Sequence, residues 1–316
     1  MTQLDSAPRA AASTTDVLHL TAGIDLAHTL AAGVMVRSVA RTLAPEARGV
    51  AHLAAFGLDA EARRRIEGCA SKRLDIAWVD VDPVAEGRPV PFSLVVDRAV
   101  PEGVDRFVVL EPGTLARRSV TEVAGEGLGG CPLAAVRDFD VPTVSMPGGI
   151  AEWRELGLAP DTPYIDTGVM VVDRAAWRDE QVEQRAVSHF LARETHGDAT
   201  GQRSLNVAVA GRVHELAPRW SSQTVDDVSG ADGAAWIYSL LPSADVDAAR
   251  DDPAIAHFTG PDKPWCDRRV RHGAAWWEVL AETPFSDWLP PTLPPSTRAR
   301  AALGRVRRAG EALWSR

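Results

Sequence analysis

The chain has 316 residues and a formal net charge of -9, and its 45% hydrophobic and 24% charged residues are ordinary for a soluble globular protein. The acidic balance argues against broad nucleic-acid binding, which needs a basic surface, so no nucleic-acid partner is expected. No apolar stretch approaches about 18 residues, so no membrane-spanning helix is expected. Three widely spaced cysteines indicate neither a disulfide framework nor a zinc site, which favours a reducing cytoplasm.

Apolar runs alternate with helical patterns in the first third of the chain. Strands are predicted at 16–22, 48–56 and 74–79, with helices at 27–42 and 59–68 between them. This alternation is typical of an α/β fold with parallel strands. Nucleotides bind such sheets beyond the carboxyl ends of the strands, so chemistry-bearing residues are expected there.

The rest of the chain continues the same strand and helix pattern, and the two terminal segments differ from it in composition. Residues 1–15 are predicted to be disordered, 16–289 to form the α/β domain, and 290–316 to form a Pro-rich linker and a basic amphipathic tail helix. Further strands are predicted at 106–110, 132–136, 164–172, 213–216 and 255–258, and further helices at 174–193 and 201–210.

A late strand runs into the loop HFTGPDKPW, residues 257–265, whose composition indicates a binding site. His257 can ligate a divalent metal, and Lys263 can neutralise phosphate oxygens across the turn that Gly260 permits. Lys263 is notable because Lys72 is the only other lysine in the sequence. Considered alone, nine such residues also fit a structural turn beside a core tryptophan.

The loop resembles the HxxGxxKPW signature of family 8 glycosyltransferases, the glycogenin and bacterial lipopolysaccharide galactosyltransferase group. Other segments resemble family segments in the same order, and together they span about residues 16 to 270. They are Asp25 with Ser38 thirteen residues later, DRFVVLEPGTL (105–115), LAAVRD (133–138), YIDTGVMVVD (164–173), GQRSLNVAVAG (201–211) and LAPRWSSQ (216–223).

The resemblance implies a GT-A fold, a Rossmann-like nucleotide-sugar-binding domain with a mixed, mostly parallel sheet. It implies retaining transfer of a sugar from a nucleotide-sugar donor, commonly linked to uridine diphosphate, to a hydroxyl acceptor. In the family a divalent cation, manganese or magnesium, usually stabilises the diphosphate. The carboxylates of a DxD motif and the histidine of the late loop hold that cation, which prefers oxygen ligands.

The same resemblance implies roles at the nucleotide end of the site. Asp25 would hold the base, and Lys263 would neutralise the diphosphate leaving group. Glu111 and His257 would face the diphosphate or hold a metal loosely, which makes them the candidate metal ligands. Gly260 would give the loop its tight turn beside the donor.

Three further residues are implied at the sugar. Asp138, Asp166 and Gln202 would hold the sugar hydroxyls or line the anomeric site. The candidate catalytic residues are therefore Gln202, Lys263 and Asp166, and the candidate donor-binding residues are Asp25, Glu111, Asp138, His257, Gly260 and Lys263.

The sequence departs from the family pattern at the metal and sugar positions. The DxD motif reads Glu111-Pro112-Gly113, so one carboxylate is lost. The aspartate before the glutamine of the family's "DQ" pair is Gly201, and the asparagine of its "NsG" is Asp166. The usual upstream arginine falls at Ser93, and His28 stands where the family has an aromatic residue after its first aspartate.

Three interpretations remain open. The enzyme works with a weakened or absent metal, and Lys263 with the nearby Arg117 and Arg118 carries the diphosphate charge. Alternatively, a shifted metal site uses Glu111, Asp166 or His257. In the third interpretation the protein is catalytically inactive and keeps the fold as a partner or scaffold.

The tail helix from residue 297 carries six arginines among leucine, valine and tryptophan side chains. A basic amphipathic helix of this kind lies on anionic membrane surfaces. A solvated helix, or one that docks in a homodimer or heterodimer, has the same pattern. The predicted location is the cytoplasm, with peripheral contact at the inner face of the membrane.

Overall fold

The computed structural model describes residues 17–194, 200–224, 237, 240–259 and 263–288. The predictions for residues 1–15, for Gly260 and for the tail at 290–316 fall outside the described residues. Within the described ranges, the helices are all too short or too polar to cross a lipid bilayer.

Strands and helices alternate along the described chain. The strands are β1 (Leu18–Asp25), β2 (Gly49–Phe56), β3 (Leu74–Val79), β4 (Val84–Ala85), β5 (Arg88–Pro89), β6 (Arg106–Leu110), β7 (Thr114–Ala116), β8 (Leu133–Arg137), β9 (Ile165–Asp173), β10 (Val213–Glu215), β11 (Ser222–Gln223) and β12 (Ile255–His257). The α-helices are α1 (Thr29–Thr42), α2 (Ala60–Glu67), α3 (Val120–Ala124), α4 (Arg174–Asp179), α5 (Val182–Glu194), α6 (Gly201–Val209), α7 (Ser243–Asp251) and α8 (Gly273–Ala281).

A seven-stranded sheet forms the centre of the fold, in the order β10-β8-β9-β6-β1-β2-β3. The neighbours β6, β1, β2 and β3 are parallel, and β10 is parallel to β8. Strand β9 runs antiparallel to both β6 and β8. The predicted α/β class with a mixed, mostly parallel sheet is therefore confirmed.

Helices pack on both faces of this sheet. Successive side chains of a strand point to opposite faces, so one strand contributes to two cores. In β6, Val108 joins the core that includes α1 and α8, whereas Phe107 joins the core that includes α5 and α6. Trp276 of α8 and Leu205 of α6 are fully buried in these two cores. The helices are therefore held by apolar packing, which leaves the strand ends free to carry polar groups.

Most predicted elements occur within a few residues of their predicted bounds, with one clear correction. The single helix predicted at 174–193 is two helices, α4 and α5, because Gln181 has a left-handed backbone with φ of 54°. Such a residue cannot continue a right-handed helix. Asp59 is the N-cap of α2, since its carboxylate accepts a hydrogen bond from the backbone N–H of Ala62 at 2.8 Å.

A smaller sheet, in the order β11-β12-β7, lies at the end of the molecule that carries the polar residues. Its register pairs His257, the last residue of β12, with Gln223 of β11 and with Thr114 of β7. Thr114 follows the Glu-Pro-Gly turn, which its backbone N–H closes by donating to the carbonyl of Glu111 at 3.1 Å. This sheet therefore brings the late loop beside the end of β6.

Candidate functional site

A cavity of about 720 Å³ opens where the strands of the main sheet end. Asp25 and Phe56 are the last residues of β1 and β2, while Glu111 and Asp138 directly follow β6 and β8. Asp166 comes from the start of β9, and because β9 is antiparallel its start lies at the same edge. The topology thus gathers residues from distant parts of the sequence at the expected edge of the sheet.

The cavity brings together the predicted site residues that the structure describes. Those that line it are Asp25, Glu111, Asp138, Asp166, Gln202, His257 and Lys263. Arg117 and Arg118, proposed from the sequence as carriers of diphosphate charge, are not among the lining residues. Both pair with Asp252, at 3.2 and 2.6 Å, so this part of the first interpretation is wrong.

His257 lies at the centre of the site between two carboxylates. Its Nδ1 is 2.9 Å from Oδ2 of Asp166, and its Nε2 is 3.3 Å from Oε2 of Glu111. Burial by itself would lower the pKa of His257, but the two carboxylates outweigh burial and raise this pKa to about 10. The ring is therefore an imidazolium over the physiological pH range.

Asp166 is the buried partner of this pair. The Ser221 hydroxyl donates to Oδ2 of Asp166 at 2.7 Å, and the Asp166 side chain is 3% exposed. Burial would raise the pKa of Asp166, but the charge and hydrogen bond of His257 lower it below its ordinary value. A carboxylate and an imidazolium are thus held together in the interior, each satisfying the other.

The side chains as they stand do not fit a divalent cation. A metal-ligating imidazole must be neutral and present a lone pair, whereas both nitrogens of His257 face carboxylates. Residue 113 is a glycine and supplies no ligand. Among the residues that the structure describes, no group of three or more His, Cys, Asp or Glu side chains could hold a metal ion.

Lys263 is the second positive charge that lines the cavity. Its Nζ donates to the backbone carbonyl of Phe258, and Nζ lies 5.8 Å from the ring centre of Trp265. Partial burial lowers the pKa of Lys263, and the nearby Glu111 carboxylate opposes that shift. The ammonium is therefore close to the Glu111–His257 pair but hydrogen-bonded to its own loop.

A third group of residues could bind hydroxyl groups. The amide of Gln202, in the first turn of α6, donates to Oδ2 of Asp138 at 2.6 Å. The other oxygen of Asp138 accepts from the backbone N–H groups of Asp140 and Val141, both at 2.8 Å. Burial first, and then the charge of Asp166, raise the pKa of Asp138 above its ordinary value. A half-buried carboxylate and an amide thus face the cavity together.

The opposite end of the cavity combines a carboxylate with aromatic rings. Oδ1 of Asp25 accepts from the backbone N–H of His28 at 2.9 Å and lies 2.7 Å from its Nδ1. The rings of Phe56 and Phe92 are 6.0 Å apart, and both line the cavity. Gly23 leaves room for the Phe92 ring, because a Cβ at position 23 would lie 2.5 Å from Cγ of Phe92.

Several site residues were not assigned a role from the sequence. Gly168 lies against the His257 ring, and a Cβ there would be 2.1 Å from Cε1 of His257. Gln223 bonds to the backbone on both sides of Asp138: its amide oxygen accepts from the N–H of Phe139 at 2.8 Å, and its amide nitrogen donates to the carbonyl of Arg137 at 3.0 Å. Gly168 and Gln223, like Ser221, fall in segments that carry the family resemblance, so a signal was present. Nothing in the sequence pointed to Phe92.

Two departures from the family pattern turn out to be neighbours. A Cβ on Gly201 would lie 2.7 Å from Oγ of Ser93 and 3.0 Å from Cβ of Pro91. The position where the family has an aspartate therefore packs against the position where it has an arginine. Two small residues therefore stand side by side at positions where the family resemblance implies opposite charges, and Ser93 lines the cavity.

Sequence comparisons identify relatives of this chain. A model of glycosyl transferase family 8 matches residues 129–269. The chain is 21% identical over 264 residues to general stress protein A of Bacillus subtilis (strain 168), covering 79% of this chain and 88% of that protein. It is 20% identical over 201 residues to the lipopolysaccharide 1,2-glucosyltransferase of Escherichia coli (strain K12). That match covers 63% of this chain and 56% of the enzyme, so the chain spans little more than half the length of this relative.

A solved structure shares the architecture. The galactosyltransferase LgtC, in complex with donor and acceptor sugar analogues, superposes with a TM-score of 0.63 at 18% identity. The similarity covers 89% of this chain and 99% of that chain. At this level of identity the likeness establishes the fold, and the predicted GT-A fold is confirmed.

Proposed function

This chain is a glycosyltransferase related to family 8 and has the GT-A fold, and from that premise we propose its reaction. It moves a sugar from a nucleotide-sugar donor, linked to uridine diphosphate, to a hydroxyl acceptor with retention at the anomeric carbon. Its dependence on a metal is weakened or absent. The observation that carries the proposal is the gathering of a carboxylate, two positive charges and an Asp–Gln pair around one cavity.

The nucleotide is proposed to bind at the Asp25 end. A carboxylate can accept hydrogen bonds from the N–H groups of a base or the hydroxyls of a ribose. The neighbouring Phe56 and Phe92 rings offer apolar contact to the base, and both line the cavity beside Asp25. The sugar would then extend toward Asp138 and Gln202, whose polar groups suit hydroxyls.

The reaction is proposed to proceed on one face of the sugar. The bond between the anomeric carbon and the diphosphate oxygen breaks as the acceptor oxygen forms its bond on the same face. The acceptor proton passes to the departing diphosphate oxygen, so no protein nucleophile is needed. The requirement is then charge stabilisation on the leaving group, which Lys263 is placed to supply.

A second candidate function is supported by two carboxylate side chains that this sequence lacks. The two glycines at 113 and 201 remove carboxylates that the family resemblance places at the metal and the sugar. A catalytically inactive glycosyltransferase-like protein, acting as a partner or scaffold, would tolerate both losses. The two candidates differ in whether the cavity binds and cleaves a nucleotide-sugar.

The location and partners are also proposed rather than observed. We propose that the protein acts in the cytoplasm and touches the inner face of the membrane through its basic tail. The arginines and the tryptophan after residue 297 support this, since they suit an anionic lipid surface. A homodimer or heterodimer through the same helix is the alternative.

The deciding experiment is donor turnover, followed by mass spectrometry across a panel of nucleotide-sugars. We predict release of nucleoside diphosphate by the wild-type protein, and a rate about 10²- to 10³-fold lower for Lys263→Ala, because a preorganised charge on the leaving group is lost. Lys72→Ala is the matched control, since it removes the other lysine from an exposed position. No turnover of any donor, with no nucleotide binding by titration calorimetry, would favour the inactive partner.

A further inference from the structure

Asp166 and Glu111 contact opposite nitrogens of the His257 ring, at the place where the family resemblance implies a metal. The two carboxylates differ in burial and in distance from the ring. Asp166 is 3% exposed and 2.9 Å from Nδ1 of His257. Glu111 is 46% exposed and 3.3 Å from Nε2 of the same ring. One carboxylate is therefore a fixed interior partner, while the other is a weaker partner that solvent and ligands can reach.

The contacts around Asp166 orient the ring. Ser221 and the backbone of Gly168 both hydrogen-bond to the Asp166 carboxylate, so it cannot turn away from Nδ1. The absent side chain of Gly168 leaves room for the ring itself. As a consequence, Nε2 is directed along one line into the cavity, where its N–H meets Glu111.

Glycine at position 113 is not required by the local structure. Its φ is not in the left-handed region, and a Cβ there would be 3.5 Å from the carbonyl oxygen of Phe258 and 3.9 Å from Cδ2 of His257. Both are ordinary contact distances. Position 113 thus adds no second carboxylate beside Glu111 on the cavity side of His257, although there is space for one, while Asp166 supplies a carboxylate from the buried side.

From this geometry we infer that His257 contacts the diphosphate directly, in place of a divalent cation. Its Nε2–H donates to a diphosphate oxygen, Asp166 is the positioning residue that orients the ring, and Glu111 is the partner that the diphosphate displaces. A charge-assisted hydrogen bond of this kind is about twice as strong as a neutral one. The inference rests on the proposed function, because it assigns a role toward the donor of that reaction.

The test is titration calorimetry with uridine diphosphate, in the presence of either Mn²⁺ or a chelator. We expect the wild-type dissociation constant to be the same in both conditions. Glu111→Gln should tighten binding by about two- to fivefold. The diphosphate then no longer has to displace the half-exposed Glu111–His257 ion pair, and a pair of this kind contributes about that much. Asp166→Asn should weaken binding about tenfold or more, since the ring loses its orienting charge. Glu46→Gln and Asp75→Asn are exposed matched controls.

The outcomes separate this inference from the proposed function. Binding that requires Mn²⁺ and is lost in Glu111→Gln would overturn the inference and leave the glycosyltransferase proposal standing. If no nucleotide binds, the proposed function fails, and nitrogen NMR of the ring still tests the geometry. We expect both ring nitrogens of His257 to carry hydrogen at pH 7.5 in wild type; a lone pair on Nε2 would overturn the inference even if Asp166→Asn proved unfolded.

Discussion

Gly168 makes room for the His257 ring, and no other residue type fits there without movement. A Cβ would be 2.1 Å from Cε1, 2.4 Å from Nδ1 and 2.6 Å from Nε2 of that ring. The ring is buried and bonded to Asp166, so it can make room for a Cβ only by moving away from that partner. The smallest substitution at this position must therefore disturb the site.

We predict that Gly168→Ala lowers the free energy of unfolding by about 1–3 kcal/mol, the usual cost of overpacking. Nucleotide binding should be lost at the same time, because the ring is pushed away from Asp166. Denaturant unfolding and titration calorimetry measure the two effects. Gly127→Ala is the control, since a Cβ there meets no atom within 4 Å. Equal stability of the two variants would contradict the packing argument.

The sequence was enough to identify most residues of the site, but it did not reveal which of them contact each other. His257, Lys263 and Asp138 were recognisable because each falls in a short segment with a family counterpart. That His257 pairs with Asp166, 91 residues earlier, followed from no local pattern. The pairing depends on the start of β9 and the end of β12 lying together, which is a property of the assembled sheets.

Neighbouring strands β1 and β2 carry a pair of histidines away from the cavity. Nδ1 of His19 is 3.0 Å from Nε2 of His52, and the rings stack with centres 5.3 Å apart. His52 is 3% exposed, and burial followed by the charge of His19 lowers its pKa to about 4. The folded protein therefore keeps His52 neutral at pH values where the unfolded chain has already bound a proton.

This pair predicts a loss of stability in mild acid. As pH falls below 6.5, the unfolded state takes up the proton first, so the free energy of unfolding drops until pH reaches about 4. Between pH 7 and pH 5 the expected loss is about 2 kcal/mol. Urea unfolding at the two pH values should show this difference in wild type and in a His214→Gln control. The drop should be smaller by about this amount in His52→Gln; the same drop in His52→Gln would refute the assignment.

At the scale of elements, strands were easier to place than helix ends. The apolar runs of β1 and β2 set their positions, because a strand buried on both faces is a continuous apolar segment. The break between α4 and α5 was missed, since the residues around Gln181 have no glycine or proline to mark it. The left-handed backbone of Gln181 separates the two helices, and α5 then packs against α6.

The whole molecule joins a GT-A domain to a basic tail that lies outside the described residues. The charge of the tail contrasts with the net charge of -9 of the complete chain, so the two parts should behave differently near anionic lipid.

We predict that the full chain sediments with vesicles containing anionic lipid and that a chain lacking residues 291–316 does not. The physical reason is attraction between arginines and the anionic surface, together with burial of the tail's apolar side chains. Vesicles of neutral lipid are the control, and added salt should release the full chain. Equal sedimentation of both chains would reject membrane contact through the tail.

The sequence by itself determined the α/β class, the order of the elements and the residue types at the site, because apolar periodicity and short motifs are local properties. The tertiary structure decided which of those residues meet. It removed Arg117 and Arg118 from the cavity, placed Ser93 against Gly201, and set His257 between two carboxylates. The physical reason is that charge and hydrogen bonding act over a few ångströms in space, and separation along the chain does not reveal those distances.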